Sequence, residues 1–118
     1  KKSFNEKIKK ILIKLKKRKK IIYGIGAAPR ACVLINSCNI NNAQISLIGE
    51  VPNSLKCNKY MPGTNIMVKN ENKIVKDKPD YVIILAWHLV KRIIKLLSKR
   101  GYKGSFIIPL PNFKIIKK

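Results

Sequence analysis

Acid is what this sequence has least of. Only five of its 118 residues are Asp or Glu, against 27 Lys and Arg, for a formal charge of +22. Such a balance is expected to attract polyanions: nucleic acid, acidic membrane surfaces, phosphorylated ligands. Arginine is scarce too, present only as Arg18, Arg30, Arg92 and Arg100. Sequence-specific readers of nucleic acid lean on the planar guanidinium fork rather than on the lysine ammonium. Lysine excess beside abundant Ile and Asn is what A/T-rich codons produce, which argues against a dedicated nucleic-acid function. The three cysteines, Cys32, Cys38 and Cys57, have no zinc-like spacing, and the one histidine, His88, adds no metal site. Free thiols in an odd set suit a reducing, cytoplasmic setting. The longest apolar run, "YVIILAW", is too short to span a bilayer, and no secretory pattern opens the chain. The 46% hydrophobic share argues against disorder.

What is present reads as one α/β domain behind a basic helix. The chain opens on Lys1 rather than Met, which suits a piece of a longer protein. Phe4, Ile8, Ile11, Leu12 and Leu15 recur at helical spacing and predict an amphipathic helix over residues 5–19. Packing on a sheet is the favoured reading of that helix, because the pattern runs straight into a strand; a helix on an anionic membrane is the alternative. Ile21 to Tyr23 begin the strand, Gly24-Ile25-Gly26 form a turn, and a helix with Pro29 in its first turn continues to about Ser37. "ISLIGEV" is a second strand. Residues 52–65, rich in Pro, Gly and Asn, are expected to lack regular structure, after which "IMV" is extended and "NENKIVKD" makes a turn or two of helix. "YVIILAW" reads as a central strand buried on both faces. Leu89, Ile93, Leu96 and Leu97 mark the buried stripe of a helix over 88–100, ended by Gly101, and "SFIIPLP" and "FKII" finish as strands. Alternating elements of these lengths predict a Rossmann-like, three-layer α/β domain with a mostly parallel sheet.

The stretch "IIYGIGAAPR" carries the first chemical signal. Glycines at the carboxyl end of a strand let backbone approach a ligand, and the following helix points free N–H groups at an anion. Ala28 or Pro29 stands where a dinucleotide fingerprint has its third glycine. Glu50, only approximately placed at the end of the second strand, is the one candidate acid to hold a ribose, and none is clearly set for that role. A nicotinamide dinucleotide is therefore disfavoured.

The wider pattern is more specific. "GIGAAPRACVLINSCNI", "KCNKYMPGTNI", "PDYVIILAWHL" and "GSFIIPLPNFKII" follow one another over residues 21–116. Together they resemble the C-terminal domain of SAM-dependent sugar C-methyltransferases, which methylate carbon in nucleotide-linked keto-deoxysugars. Arg30 takes the position of the family's basic loop residue, Ile35-Asn36 match its Leu-Asn pair, and Lys56, Lys59, Tyr60, Pro62 and Gly63 match its lysine-to-proline-glycine segment. Pro79, Asp80, Tyr81 and Trp87 match the strand opening and its closing tryptophan. Ala31, Cys57, Asn58, Lys91 and Arg92 depart from the pattern.

The resemblance implies residues 1–20 as a connector helix and 21–118 as the C-terminal domain. It implies a substrate-binding part of an enzyme whose SAM-binding and catalytic domain lies elsewhere, in the same or a companion chain. SAM is then expected outside this segment, with no cofactor, metal or catalytic residue within it. Substrate contacts are expected from Gly24, Gly26, Ala27, Arg30, Lys56, Tyr60, Pro62, Gly63, Trp87 and His88. Arg30 and Lys56 would neutralise a diphosphate and Tyr60 would stack or hydrogen-bond. Tyr60 and Pro62-Gly63 read equally as sheet-edge cover and turn, and Trp87 and His88 as core or strand-end residues. The alternative from another class is a non-enzymatic basic module for nucleic acid or anionic membrane.

Overall fold

In the computed structural model, which describes residues 2–51, 53–110 and 112–117, the first helix (α1, Lys2–Lys17) packs on a sheet through Ile8, Leu12 and Leu15, all buried. Its lysines at 7, 10, 14 and 17 face solvent. Phe4, named in the same stripe, has its side chain outside the described residues. Among the described residues no helix is long and apolar enough to cross a membrane.

β1 (Ile22–Ile25) follows, then α2 (Pro29–Ser37), β2 (Leu47–Glu50), β3 (Lys59–Tyr60), β4 (Met67–Asn70), α3 (Asn72–Asp77), β5 (Tyr81–Ile84), α4 (Val90–Lys99), β6 (Ser105–Ile108) and β7 (Lys114–Ile116). A 3₁₀ turn at Trp87–Leu89 leads into α4. The sheet has seven strands in the order β3-β4-β2-β1-β5-β6-β7. The inner five run parallel, and β3 and β7 are antiparallel margins. The chain moves outward from β1 to β2 and β4, returns to β5 on the other side of β1, and moves outward again to β6. The direction of winding thus reverses between β1 and β5.

Alternation along the strands divides the core. Ile22, Ile48, Ile83, Leu85 and Ile107 pack with α1 and α2. Tyr23, Ile25, Val82, Ile84 and Phe106 pack with Ile74 of α3 and Ile93 and Leu97 of α4. On the second face, polar groups turn inward onto the protein. The Tyr102 hydroxyl donates to the Pro79 carbonyl at 2.9 Å, and its ring meets Phe106 edge-on at 5.5 Å. The Tyr23 hydroxyl donates to Asp77 Oδ2 at 2.6 Å. Burial and then that carboxylate push Tyr23 up to about 12, and the same hydrogen bond is the chief reason Asp77 sits below the usual carboxylate range. Arg100 pairs with the buried Glu71 at 3.5 Å.

Three local expectations need correction. Gly24 lies inside β1, paired with Ile48 of β2 and Ile83 of β5, and a Cβ there would press on Ile48 and Leu85 at 3.1 and 3.2 Å; the turn starts only at Gly26. Lys59–Tyr60 form an edge strand within a stretch expected to be irregular, held by pairing with Val68 and Met67. Leu89 is exposed, because the 3₁₀ turn starts the helical register later, and Val90 and Ile94 pack beside Ile93 and Leu97 instead.

Candidate functional site

The carboxyl ends of β1 and β5 meet at Gly26. Its φ of +99° and a prospective Cβ only 2.9 Å from the Ala86 Cβ require glycine. The Gly26 N–H donates to the Gly49 carbonyl of β2 at 3.0 Å. The next amide, Ala27 N–H, donates to Glu50 Oε2 at 3.0 Å, while Glu50 Oε1 accepts from Val51 N–H at 3.0 Å. Glu50 ends β2, and both its oxygens hold backbone.

Pro29 opens α2 with no N–H to offer, and Ala28 before it supplies no side-chain cap. Arg30, the next residue, is exposed, and its guanidinium lies over the Trp87 indole, 5.9 Å from the ring centroid. This cation–π pair spans the point where the winding reverses: Arg30 follows β1 and Trp87 follows β5. His88, one residue on, is exposed in the 3₁₀ turn.

Beside the turn, between α2 and the segment after β2, lies an open cleft of about 530 Å³. Ala27, Pro29 and Cys32 line one wall, and Leu55, Lys56, Lys59, Tyr60, Met61, Pro62 and Val68 the other. Its floor is apolar, with Met61 and Val68 buried, and its rim carries the ammonium groups of Lys56 and Lys59. Leu55 and Tyr60 stand 87% and 61% exposed, a costly display of apolar surface unless something covers it.

The segment is fixed by turn chemistry. Met61 N–H donates to the Ile66 carbonyl at 2.8 Å, and the Thr64 hydroxyl to the Met61 carbonyl at 2.8 Å. Asn36 Nδ2 donates to the Cys32 and Pro62 carbonyls at 2.8 and 3.2 Å, tying the far wall to α2. Gly63 adopts φ +76° under that Asn36 side chain, 2.7 Å from its Oδ1 if a Cβ were added. It lines a separate hollow with Asn36 and Thr64.

Of the residues expected to contact substrate, the structure brings Ala27, Lys56, Tyr60 and Pro62 into the cleft, and Arg30 and Trp87 into their stack. Gly26 shapes the turn. Gly24 lies within the sheet, Gly63 under Asn36, and His88 on the 3₁₀ turn. Sequence reasoning missed Pro29, Cys32, Leu55, Met61 and Val68 as lining, and Glu50 as the residue that holds the turn. The adjacency of "GE" to the end of an apolar strand was the available signal. Among the described residues no three His, Cys, Asp or Glu gather as a metal site would require.

A family model described as the C-methyltransferase C-terminal domain matches residues 2–111 of the chain. Among curated proteins, C-methyltransferase NovU of Streptomyces niveus is 29% identical over 100 residues, covering 82% of this chain and 23% of that protein. The chain thus spans under a quarter of the length of this relative.

Proposed function

The chain belongs to the C-methyltransferase C-terminal domain family, and from that premise we propose that it is the substrate-binding domain of a SAM-dependent enzyme that methylates carbon in a nucleotide-linked sugar. The observation that carries this reading is the cleft at the carboxyl edge of the sheet. It joins an apolar floor, two rim lysines and Tyr60 to residues matching the family's motif. We read the sheet as Rossmann-like, since in open α/β sheets ligands settle where the winding reverses. Residues 21–118 form the binding domain in this reading, and residues 1–20 the connector to a SAM-binding domain in the same or a companion chain.

SAM, bound on that other domain, supplies the methyl group. This chain's part is grip and orientation. Arg30 meets the ligand's phosphate charge, Lys56 and Lys59 add positive potential from the facing wall, and Tyr60 and Leu55 cover an apolar face of the ligand. Holding two reactants in a reactive pose is worth up to about 7 kcal/mol of the barrier. No group here is assigned as a base, and the reaction is expected in the cytoplasm, where free thiols such as Cys32 persist.

Calorimetry of the folded chain against a dTDP-sugar and against dTDP tests the reading. Heat with both, larger with the sugar attached, is expected. No heat with either, from a folded sample that also fails to associate with a SAM-binding methyltransferase domain, overturns it.

A further inference from the structure

A glycine turn before a helix ordinarily offers its amides to phosphate. Here that offer is narrowed at its first two positions, since Gly26 N–H already donates to the Gly49 carbonyl. Ala27 N–H is already spent on Glu50 Oε2 at 3.0 Å, and Pro29 has no N–H to give. A phosphate oxygen approaching the Ala27 nitrogen meets a carboxylate of like charge at the same spot. The cation that bridges the reversal point is Arg30, a side chain rather than a loop, and its guanidinium rests on the Trp87 indole at 5.9 Å. Each Glu50 oxygen holds one backbone N–H and keeps further lone-pair capacity, which suits a hydroxyl donor.

We propose that Glu50 is the specificity-determining residue of the turn: its carboxylate keeps phosphate off the Gly26–Ala27 backbone and accepts a ligand hydroxyl there, so that the ligand's anionic group is carried by Arg30 on Trp87. Trp87 is in this scheme a positioning residue, acting through the guanidinium it supports. The inference deepens the sugar-nucleotide reading and rests on it for the hydroxyl-bearing ligand.

The chain has a single tryptophan, so its indole N–H is an unambiguous magnetic-resonance probe. Titration of the nitrogen-labelled full chain with inorganic pyrophosphate is expected to move the Trp87 indole signal and leave the Ala27 amide in place. UDP-glucose, which adds hydroxyls, is expected to move both. In Glu50→Gln, whose amide oxygen can still hold Ala27, the repulsion goes: affinity for pyrophosphate rises about tenfold, and the Ala27 amide, now approached by the anion, joins the response. In Arg30→Ala the indole stops responding. An Ala27 amide that follows pyrophosphate in the unaltered chain as strongly as Trp87 does overturns the proposal, and so does an Arg30→Ala indole that still responds. The two titrations of the unaltered chain decide the matter even if Glu50→Gln fails to fold. Heat with a dTDP-sugar but no shift at Ala27 or Trp87 sinks this inference alone. Pyrophosphate shifts at Trp87 without any heat from sugar nucleotides sink the functional reading instead.

Discussion

The two faces of the sheet finish their chemistry in opposite ways. On the α3/α4 face, Tyr102, Tyr23 and Arg100 each turn a polar end back onto the protein, and Phe106 is fully buried. On the α1/α2 face the core is as dense beneath the helices, but at the carboxyl rim it opens into a cleft with Leu55 and Tyr60 in water. The apolar exposure at this rim, framed by Lys56 and Lys59, makes it the place to look for a guest, while the polar ends on the other face serve the fold.

The sharpest way to break this contrast is to damage the α3/α4 face. Phe106→Ala removes a side chain with no solvent exposure and is expected to cost about 3–5 kcal/mol by denaturant unfolding, leaving the affinity of the folded fraction unchanged. Next comes Tyr23→Phe, expected to cost about 1 kcal/mol. Because Tyr23 is raised from 10.0 to about 12 in the fold, its contribution is present below pH 10 and is lost as pH climbs toward about 12. Tyr23→Phe should flatten that alkaline decline, and it should also weaken the acid-side contribution of Asp77, which is present above 3.8 and lost as pH falls. Unfolding curves across pH read both limbs. The smallest effect on stability belongs to the open rim. Leu55→Ser is expected to change it by less than about 0.5 kcal/mol while weakening a bound sugar nucleotide about fivefold by calorimetry. A Leu55 variant that unfolds as easily as the Phe106 variant would erase the distinction.

Much of the scaffold was written locally. The apolar run before Trp87 reads as a buried strand because a centre strand has helices on both sides, and Pro29 marks the start of α2 because only a first turn tolerates it. What local pattern cannot carry is partnership across distance. Gly24 and Gly26 look like one turn in sequence, yet pairing with Ile48 and Ile83 makes the first part of a strand. β3 has two residues and no period of its own; only β4 makes it a strand. Lys56, Tyr60 and Pro62, which line the cleft, were legible through their match to the family's lysine-to-proline-glycine segment. Leu55 and Met61 announce nothing until the fold sets one in water and the other beneath it. Glu50 was seen as an acid in search of a ribose, while its hold on Ala27 spans 23 residues and has no local signature.

The antiparallel margins carry one more consequence. β3 and β7 are two and three residues long, each bears a lysine (Lys59 and Lys114), and each caps a parallel stack whose naked border would otherwise invite another copy to pair. A visitor arriving edge-on finds too few main-chain groups in register and a cation in the way. Fibre growth through the sheet is thereby discouraged in a chain rich in isoleucine, and association is steered toward helices and loops.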